Sequence, residues 1–212
     1  MKSNKKIWLC SPHIGNNSRR YVDEAFDLNW IAPIGPHIDQ FEDKLSEISL
    51  GNNIAALSSG SASIHLALIL LGVKNNDSVI CSSFTFSASA NPVKYLGANP
   101  IFVDSERESW NMCPKLLLEA IKNEIKNNNK PKVIIIVHLY GMPAKIEEII
   151  EIANKYNIPV IEDAAEALGS KYNNQQVGTF SDFGVYSFNG NKIITTSAGG
   201  ALVSKSKEKI KQ

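Results

Sequence analysis

Cysteine is scarce in this sequence: Cys10, Cys81 and Cys113 are the only three among 212 residues. Their wide spacing supplies neither a disulfide framework nor a zinc-ligand cluster, so they read as buried or idle thiols of a reducing compartment. No metal site is expected. An excess of one charge sign is also missing. The formal net charge is +1, which leaves no electrostatic case for nucleic acid or an anionic membrane surface. Long apolar runs are absent too, and none approaches the roughly 20 residues that span a bilayer. The first residues, MKSNKKIWLCSPHIG, carry only the short apolar stretch Ile7 to Leu9, too brief for the core of a secretory signal. A cytoplasmic location is the resulting expectation. Two nucleotide signatures are lacking as well: no G-x-G-x-x-G follows the first predicted strand, and no G-x-x-x-x-G-K-[ST] occurs.

What remains is an ordinary globular composition, 43% hydrophobic and 20% charged, in a chain long enough for one large domain or two small ones. Strand-like and helix-like stretches alternate along it. NIAALSS (53–59), DSVICSS (77–83), NPIFVD (99–104), PKVIIIVHLYG (131–141), IPVIEDAAE (158–166), FGVYSFN (183–189) and GALVS (200–204) read as strands. The fourth is the strongest, with Val133 to Val137 all β-branched and turn residues on either side. Helical patterns fall at 61–72, with Ser61 as candidate N-cap, at 114–128 and at 144–157, and less clearly at 86–97, where Pro92 implies a late start. Two more, 18–28 and 37–49, precede the first strand and are joined by the Pro/Gly-rich NWIAPIGP. The alternation predicts an α/β fold with a mostly parallel sheet. One link breaks the rule. Residues 189–199 carry no helical pattern and are too few for a parallel crossover, which needs a dozen or more. The seventh strand is therefore expected to run antiparallel to the sixth.

In parallel α/β sheets, ligands gather at the carboxyl ends of the strands. After the first predicted strand comes SSGSAS, a small-residue turn feeding a helix N-terminus. Such a turn suits phosphate, and equally a plain Ser-capped helix. Phe84 and Phe86 follow the second strand as core residues or as a plate for a flat ring. His138 and Tyr140 follow the fourth, where a structural histidine is the simpler reading. Glu162 and Asp163 end the fifth. As neighbours in a strand they point to opposite faces, so only one can meet a given ligand. Ser187 and Lys192 follow the sixth. Each feature alone has an ordinary structural explanation. Together, a phosphate cradle, an aromatic plate, a carboxylate for a ring nitrogen and a lysine amine describe a pyridoxal phosphate site. Lys192 would form the Schiff base and also serve as general base.

The stretches SGSASIHLAL, SSFTFSASANPV, VHLYG, VIEDAAEALGS and GVYSFNGNKIITTSAGG resemble, in order, the motifs of the DegT/DnrJ/EryC1/StrS sugar aminotransferases, a family of fold type I pyridoxal phosphate enzymes. NWIAPIGPHIDQFEDKL resembles the family's dimer and substrate segment. The resemblance implies a seven-stranded sheet of order 3-2-4-5-6-7-1, strand seven antiparallel, with helices on both faces. It implies that Lys192 is the cofactor-bearing lysine, Asp163 the partner of the pyridine nitrogen and Phe86 the stacking aromatic. Ser61, Ala62 and Ser187 would be phosphate ligands, and Glu166 would stand near the cofactor hydroxyl, where many members have Gln. Lysine rather than histidine at position 192 favours amino transfer over sugar dehydration. Glutamate would be the donor and a ketosugar nucleotide the acceptor, with UDP-4-keto-6-deoxy-N-acetylhexosamine the first expectation. Ala198 stands where relatives commonly have Gly or Glu. Divided on this pattern, 1–52 is an N-terminal helical segment, 53–205 the cofactor-binding large domain and 206–212 the start of a continuation. Family members continue there into a smaller C-terminal domain that is absent from this sequence. The resemblance also implies a homodimer with a shared site. The alternative is a catalytically inactive remnant that binds cofactor or dimerises.

Overall fold

The computed structural model describes residues 6–8, 11–30 and 32–212. Cys10 and most of the N-terminal stretch before it lie outside the described residues.

Every strand predicted from the sequence is present, trimmed at its ends. They are β1 (Asn53–Leu57), β2 (Ser78–Ser82), β3 (Asn99–Val103), β4 (Val133–Val137), β5 (Val160–Asp163), β8 (Phe183–Ser187) and β9 (Gly200–Ser204). Between the last three lies a small hairpin of β6 (Lys171–Tyr172) and β7 (Gln175–Gln176), with no counterpart in the sequence reading. The seven strands form one sheet of order β1-β9-β8-β5-β4-β2-β3. Counting sheet strands alone and reading from the other edge, this is 3-2-4-5-6-7-1. β9 pairs antiparallel with both β8 and β1, while the other four neighbour pairs, β2–β3, β2–β4, β4–β5 and β5–β8, are parallel. The short 188–199 link leaves the chain no room to cross the sheet, and it reverses instead.

The sheet is covered on both faces, which is why its strands read as nearly unbroken apolar runs. Alternate residues feed different cores. Val133, Ile135, Ile161, Val185 and Leu202 pack with Ile64, Ala67 and Leu68 of α3 (Gly60–Leu70) and with Val93 of the short α4 (Asn91–Tyr95). On the opposite face, Ile134, Ile136 and Val160 pack with Leu117 and Ile121 of α5 (Pro114–Lys126) and Ile146 and Ile149 of α6 (Ile146–Lys155). A third cluster on that face seats Leu45 of α2 (Pro36–Ile48) against Tyr186, Ala201 and Val203. The first helix, α1 (Ser18–Asp27), buries none of its residues, and a terminal α7 (Lys207–Lys211) follows β9.

Two predicted helical details differ. The 86–97 stretch is a 3-10 turn, Ser87–Ser89, followed by α4, because Pro92 is accepted only in the first helical turn. The N-cap of α3 is Ser59, not Ser61: the Ser59 Oγ accepts from the Ala62 N–H at 3.1 Å. The helix starts one residue before the expected cap.

β9 begins hard against that cap. A Cβ on Gly200 would overlap the Ser59 carbonyl and the Gly60 nitrogen. Both are backbone atoms, so relief requires moving β9 or the turn. Gly200→Ala is therefore expected to destabilise the fold by about 2–3 kcal/mol, read as a lowered urea midpoint. An unchanged midpoint would mean that the strand slides without cost.

Candidate functional site

A cavity of about 540 Å³ opens at the carboxyl ends of β1, β5 and β8. Its walls include Ser59, Gly60 and Ser61 at the start of α3, Phe86 and Ser89 after β2, Asp163 and Glu166 after β5, and Ser187 and Lys192 after β8. A larger hollow of about 750 Å³ runs beside α2, but neither Lys192 nor Asp163 reaches it. The smaller cavity holds the chemistry.

Six of the seven residues singled out in the sequence line this cavity; Ala62 does not. Its N–H is taken by the Ser59 cap, so the free end of the helix is presented by Gly60 and Ser61 instead. Gly60 passes close to Ser187, where a Cβ would stand 3.0 Å from the Ser187 Cβ. The absent side chain lets the helix N-terminus and the Ser187 hydroxyl share one end of the cavity. Helix N-termini carry positive potential and unpaired N–H donors.

The other end is acidic. Glu162 and Asp163 point to opposite faces of β5, as strand geometry demands. Asp163 faces the cavity side. Its Oδ2 accepts from the Ser89 hydroxyl at 2.6 Å and its Oδ1 from the Ala165 N–H at 3.2 Å. Burial pushes the Asp163 carboxyl above its ordinary range, against the opposing pull of these bonds and of the positive charge of Lys192. Beneath it the Cys81 thiol is buried and pushed up to about 12, first by desolvation and then by the Asp163 charge, so it is an inert neutral group.

Glu162 takes the far face and is fully buried. It accepts from the N–H groups of Gly178 at 2.6 Å, Phe180 at 2.8 Å and Ser181 at 2.9 Å, and from the Ser181 hydroxyl at 2.9 Å. His138 Nε2 lies 3.1 Å from its Oε2. The Ala144 N–H donates to His138 Nδ1 at 3.0 Å. Nδ1 is thereby an acceptor, which leaves the proton on Nε2 to be donated to Glu162. His138 is a structural histidine, as its simpler reading held. Burial works to raise the Glu162 carboxyl, but the bonds from His138, Gly178 and Ser181 outweigh it and hold the group below its ordinary 4.5.

Lys192 sits in the loop between β8 and β9, its side chain 11% exposed. Its Nζ donates to Glu166 Oε1 at 2.8 Å. Phe86 stands at the cavity wall with 75% of its surface exposed. The ring is thereby open to a flat ligand in the cavity. The donor set therefore matches pyridoxal phosphate at each end: N–H and hydroxyl groups for a phosphate, a buried carboxylate for a ring nitrogen, and an amine between them.

The sequence profile of the DegT/DnrJ/EryC1/StrS aminotransferase family matches residues 12–212. The chain belongs to this family. It is 53% identical over 200 residues to EpsN of Bacillus subtilis, which is named as a pyridoxal phosphate-dependent aminotransferase; the match covers 94% of this chain and 52% of EpsN. It is 43% identical over 203 residues to the GDP-perosamine synthase of Escherichia coli O157:H7, covering 96% of this chain and 54% of that protein. Among solved structures, the aminotransferase TlmJ from Streptoalloteichus hindustanus superposes with a TM-score of 0.90 at 27% identity, covering 97% of this chain and 55% of TlmJ. The DegT-family chain thus spans about half the length of the relatives it matches. Among its described residues, no helix is long and apolar enough to cross a membrane, and no cluster of His, Cys, Asp or Glu could hold a metal ion.

Two residues at the site escaped the sequence reading. Ser59 reads as the end of the first strand and as part of the SSGSAS turn, but not as the helix cap, and Ser89 lies in a stretch of small residues with no distinguishing pattern. The signal that finds Ser59 is its spacing, three residues before the Ala62 N–H that it caps.

Proposed function

We propose that this chain is the cofactor-binding part of a pyridoxal phosphate-dependent sugar aminotransferase that moves an amino group from glutamate to a ketosugar nucleotide in surface-glycan biosynthesis. The single observation that carries the proposal is the convergence of Lys192, Asp163, Phe86, Ser61 and Ser187 on one cavity, in a chain of an aminotransferase family. The names of EpsN and of GDP-perosamine synthase support the cofactor and the nucleotide-sugar class. The second of these names directs the acceptor toward a GDP-linked sugar, and away from the UDP-linked N-acetylhexosamine expected from the NGNKIITTS stretch.

Pyridoxal phosphate, when bound, supplies an electron sink conjugated to the amino-bearing carbon. The protein does the rest. Ser61 and Ser187, with the α3 N-terminus, would hold the phosphate. Asp163 would keep the ring nitrogen protonated, and its burial would make that attraction strong in a low-dielectric setting. Phe86 would stack on the ring. Lys192 would bear the cofactor and move a proton at the substrate carbon. Glu166, 2.8 Å from the Lys192 amine, orients that amine and would reach the cofactor hydroxyl. We place this site at the face of a homodimer in the cytoplasm. Tyr21, Val22 and Phe26 of the unburied α1, each 43–65% exposed, support an apolar partner surface.

The test is optical and chemical. Adding pyridoxal phosphate to the purified chain is expected to give an absorbance band near ~410–430 nm, and glutamate should bleach it with release of 2-oxoglutarate. GDP- and UDP-linked 4-ketosugars are then compared as acceptors. No band sinks the cofactor assignment. A band that glutamate leaves untouched identifies the chain as a binding remnant without catalysis.

A further inference from the structure

Ser89 is a buried hydroxyl of the SSFTFSASANPV stretch to which the proposed mechanism gives no role. It is 1% exposed and sits in the turn that also carries Phe86. Its Oγ donates to Asp163 Oδ2 at 2.6 Å. Its backbone N–H donates to the Phe86 carbonyl at 3.0 Å. The Thr85 Oγ1 lies 2.7 Å from the Ser89 Oγ. A hydroxyl has one proton to give. If Asp163 is ionised, it can only accept, so Ser89 must donate to it. Thr85 must then donate to Ser89. The three groups form a polarised chain, Thr85 to Ser89 to Asp163, with every proton directed at the carboxylate.

We propose that Thr85 and Ser89 are positioning residues that keep Asp163 ionised and aimed at the cofactor's ring nitrogen, and that the same turn ties this aim to the placement of Phe86. The inference rests on the cofactor assignment above. Burial disfavours the Asp163 anion, and something must oppose it for the ring nitrogen to stay protonated. Four groups are available. The Ala165 N–H comes from the loop after β5, the Lys192 amine from the loop after β8, His138 from the end of β4, and Ser89 from the turn after β2. Cys81, from β2, is neutral and does not contribute. Ser89 makes a shorter contact than the Ala165 N–H, 2.6 against 3.2 Å, and its donor strength is raised by the hydroxyl behind it. Ala165 holds Oδ1 only through a longer bond, so that oxygen keeps room for a second donor. Ser89 therefore fixes which carboxylate oxygen faces inward as well as its charge.

Ser89→Ala, Thr85→Val and Ser89→Thr separate this role from a packing role. Two readouts are used: the Asp163 carboxyl carbon followed by NMR against pH in the cofactor-free chain, and the affinity for pyridoxal phosphate measured by titration of the visible band. Ser89→Ala is expected to move the Asp163 titration upward and to weaken pyridoxal phosphate binding by about tenfold or more, the scale of one hydrogen bond to a charged group. Thr85→Val should move both in the same direction by less, because Ser89 still donates. Ser89→Thr keeps the hydroxyl and should restore both. If Ser89→Ala leaves the carboxyl titration and the affinity unchanged, or if all three variants merely lower the melting temperature, the proposal is overturned. If the unmodified chain shows no visible band, the cofactor assignment fails. The carboxyl titration alone then decides whether the hydroxyl chain acts on Asp163.

Discussion

Lys192→Ala should abolish the visible band of the pyridoxal phosphate complex and slow release of 2-oxoglutarate from glutamate by at least roughly 10²–10⁴-fold, the range for losing a positioned general base alone. Among the described residues, Lys192 is the only lysine lining the 540 Å³ cavity. It is held by Glu166 on one side and feels the Asp163 charge on the other. In the proposed mechanism, truncation removes the covalent hold and the proton carrier together, and the two losses compound. Fold stability should move little, since the side chain lies at the cavity wall rather than in a core cluster. Partial recovery of the glutamate reaction by an added small amine would locate the loss in proton transfer. A variant that keeps the band and full turnover would remove Lys192 from the chemistry.

Glu162→Ala is expected to cost about 3–5 kcal/mol of folding stability, the usual penalty for breaking a buried, fully bonded charge. Five donors lose their acceptor at once: His138 Nε2, the N–H groups of Gly178, Phe180 and Ser181, and the Ser181 hydroxyl. Urea unfolding followed by tryptophan fluorescence measures the change, and a loss under about 1 kcal/mol would show that water replaces the carboxylate cheaply. The pH dependence carries a second signature. The Glu162 carboxyl is held below its ordinary 4.5 in the fold, so its contribution is complete above that pH. It is lost as pH falls through the lower folded value. The unmodified chain should therefore lose stability below pH 4.5 more steeply than Glu162→Ala does. Asp163 acts in the opposite sense. Its raised carboxyl takes up a proton more readily in the fold, which offsets part of the acid loss in both proteins.

The seven strands and the reversal of the last were legible because each rests on a physical regularity. Buried parallel strands must be apolar throughout, and a link such as 188–199 cannot cross a sheet. The sheet order itself came from resemblance. Other features left no trace. A two-residue strand pair such as Lys171–Tyr172 with Gln175–Gln176 is too short to show alternation. α7 falls in 206–212, which reads only as the start of a continuation, and with none of its residues buried it shows no apolar stripe. At the site, the side chains with distinctive chemistry were readable: Lys192, Asp163, Phe86. Two hydroxyls beside them were not. Ser59 and Ser89 are ordinary in composition, and their roles depend on partners 3 and 74 positions away. Glu162 was read as one of two alternatives for a ligand. Its actual partners are mostly backbone N–H groups of a loop, which no residue pattern announces.

The pairing of β1 with β9 also has a consequence in time. Asn53 lies opposite Ser204, so β1 waits for β9, about 150 residues later, before it joins the sheet. Until then the Ser59–Gly60 turn has no Gly200 to press against, and the loop bearing Lys192 has no second anchor. The inner strands, from β2 to β5, can zip together well before that moment. The cavity is thus completed only when β9 arrives. Uptake of the cofactor would report the docking of β9, and a nascent chain halted before Ser204 would carry the inner sheet without its site.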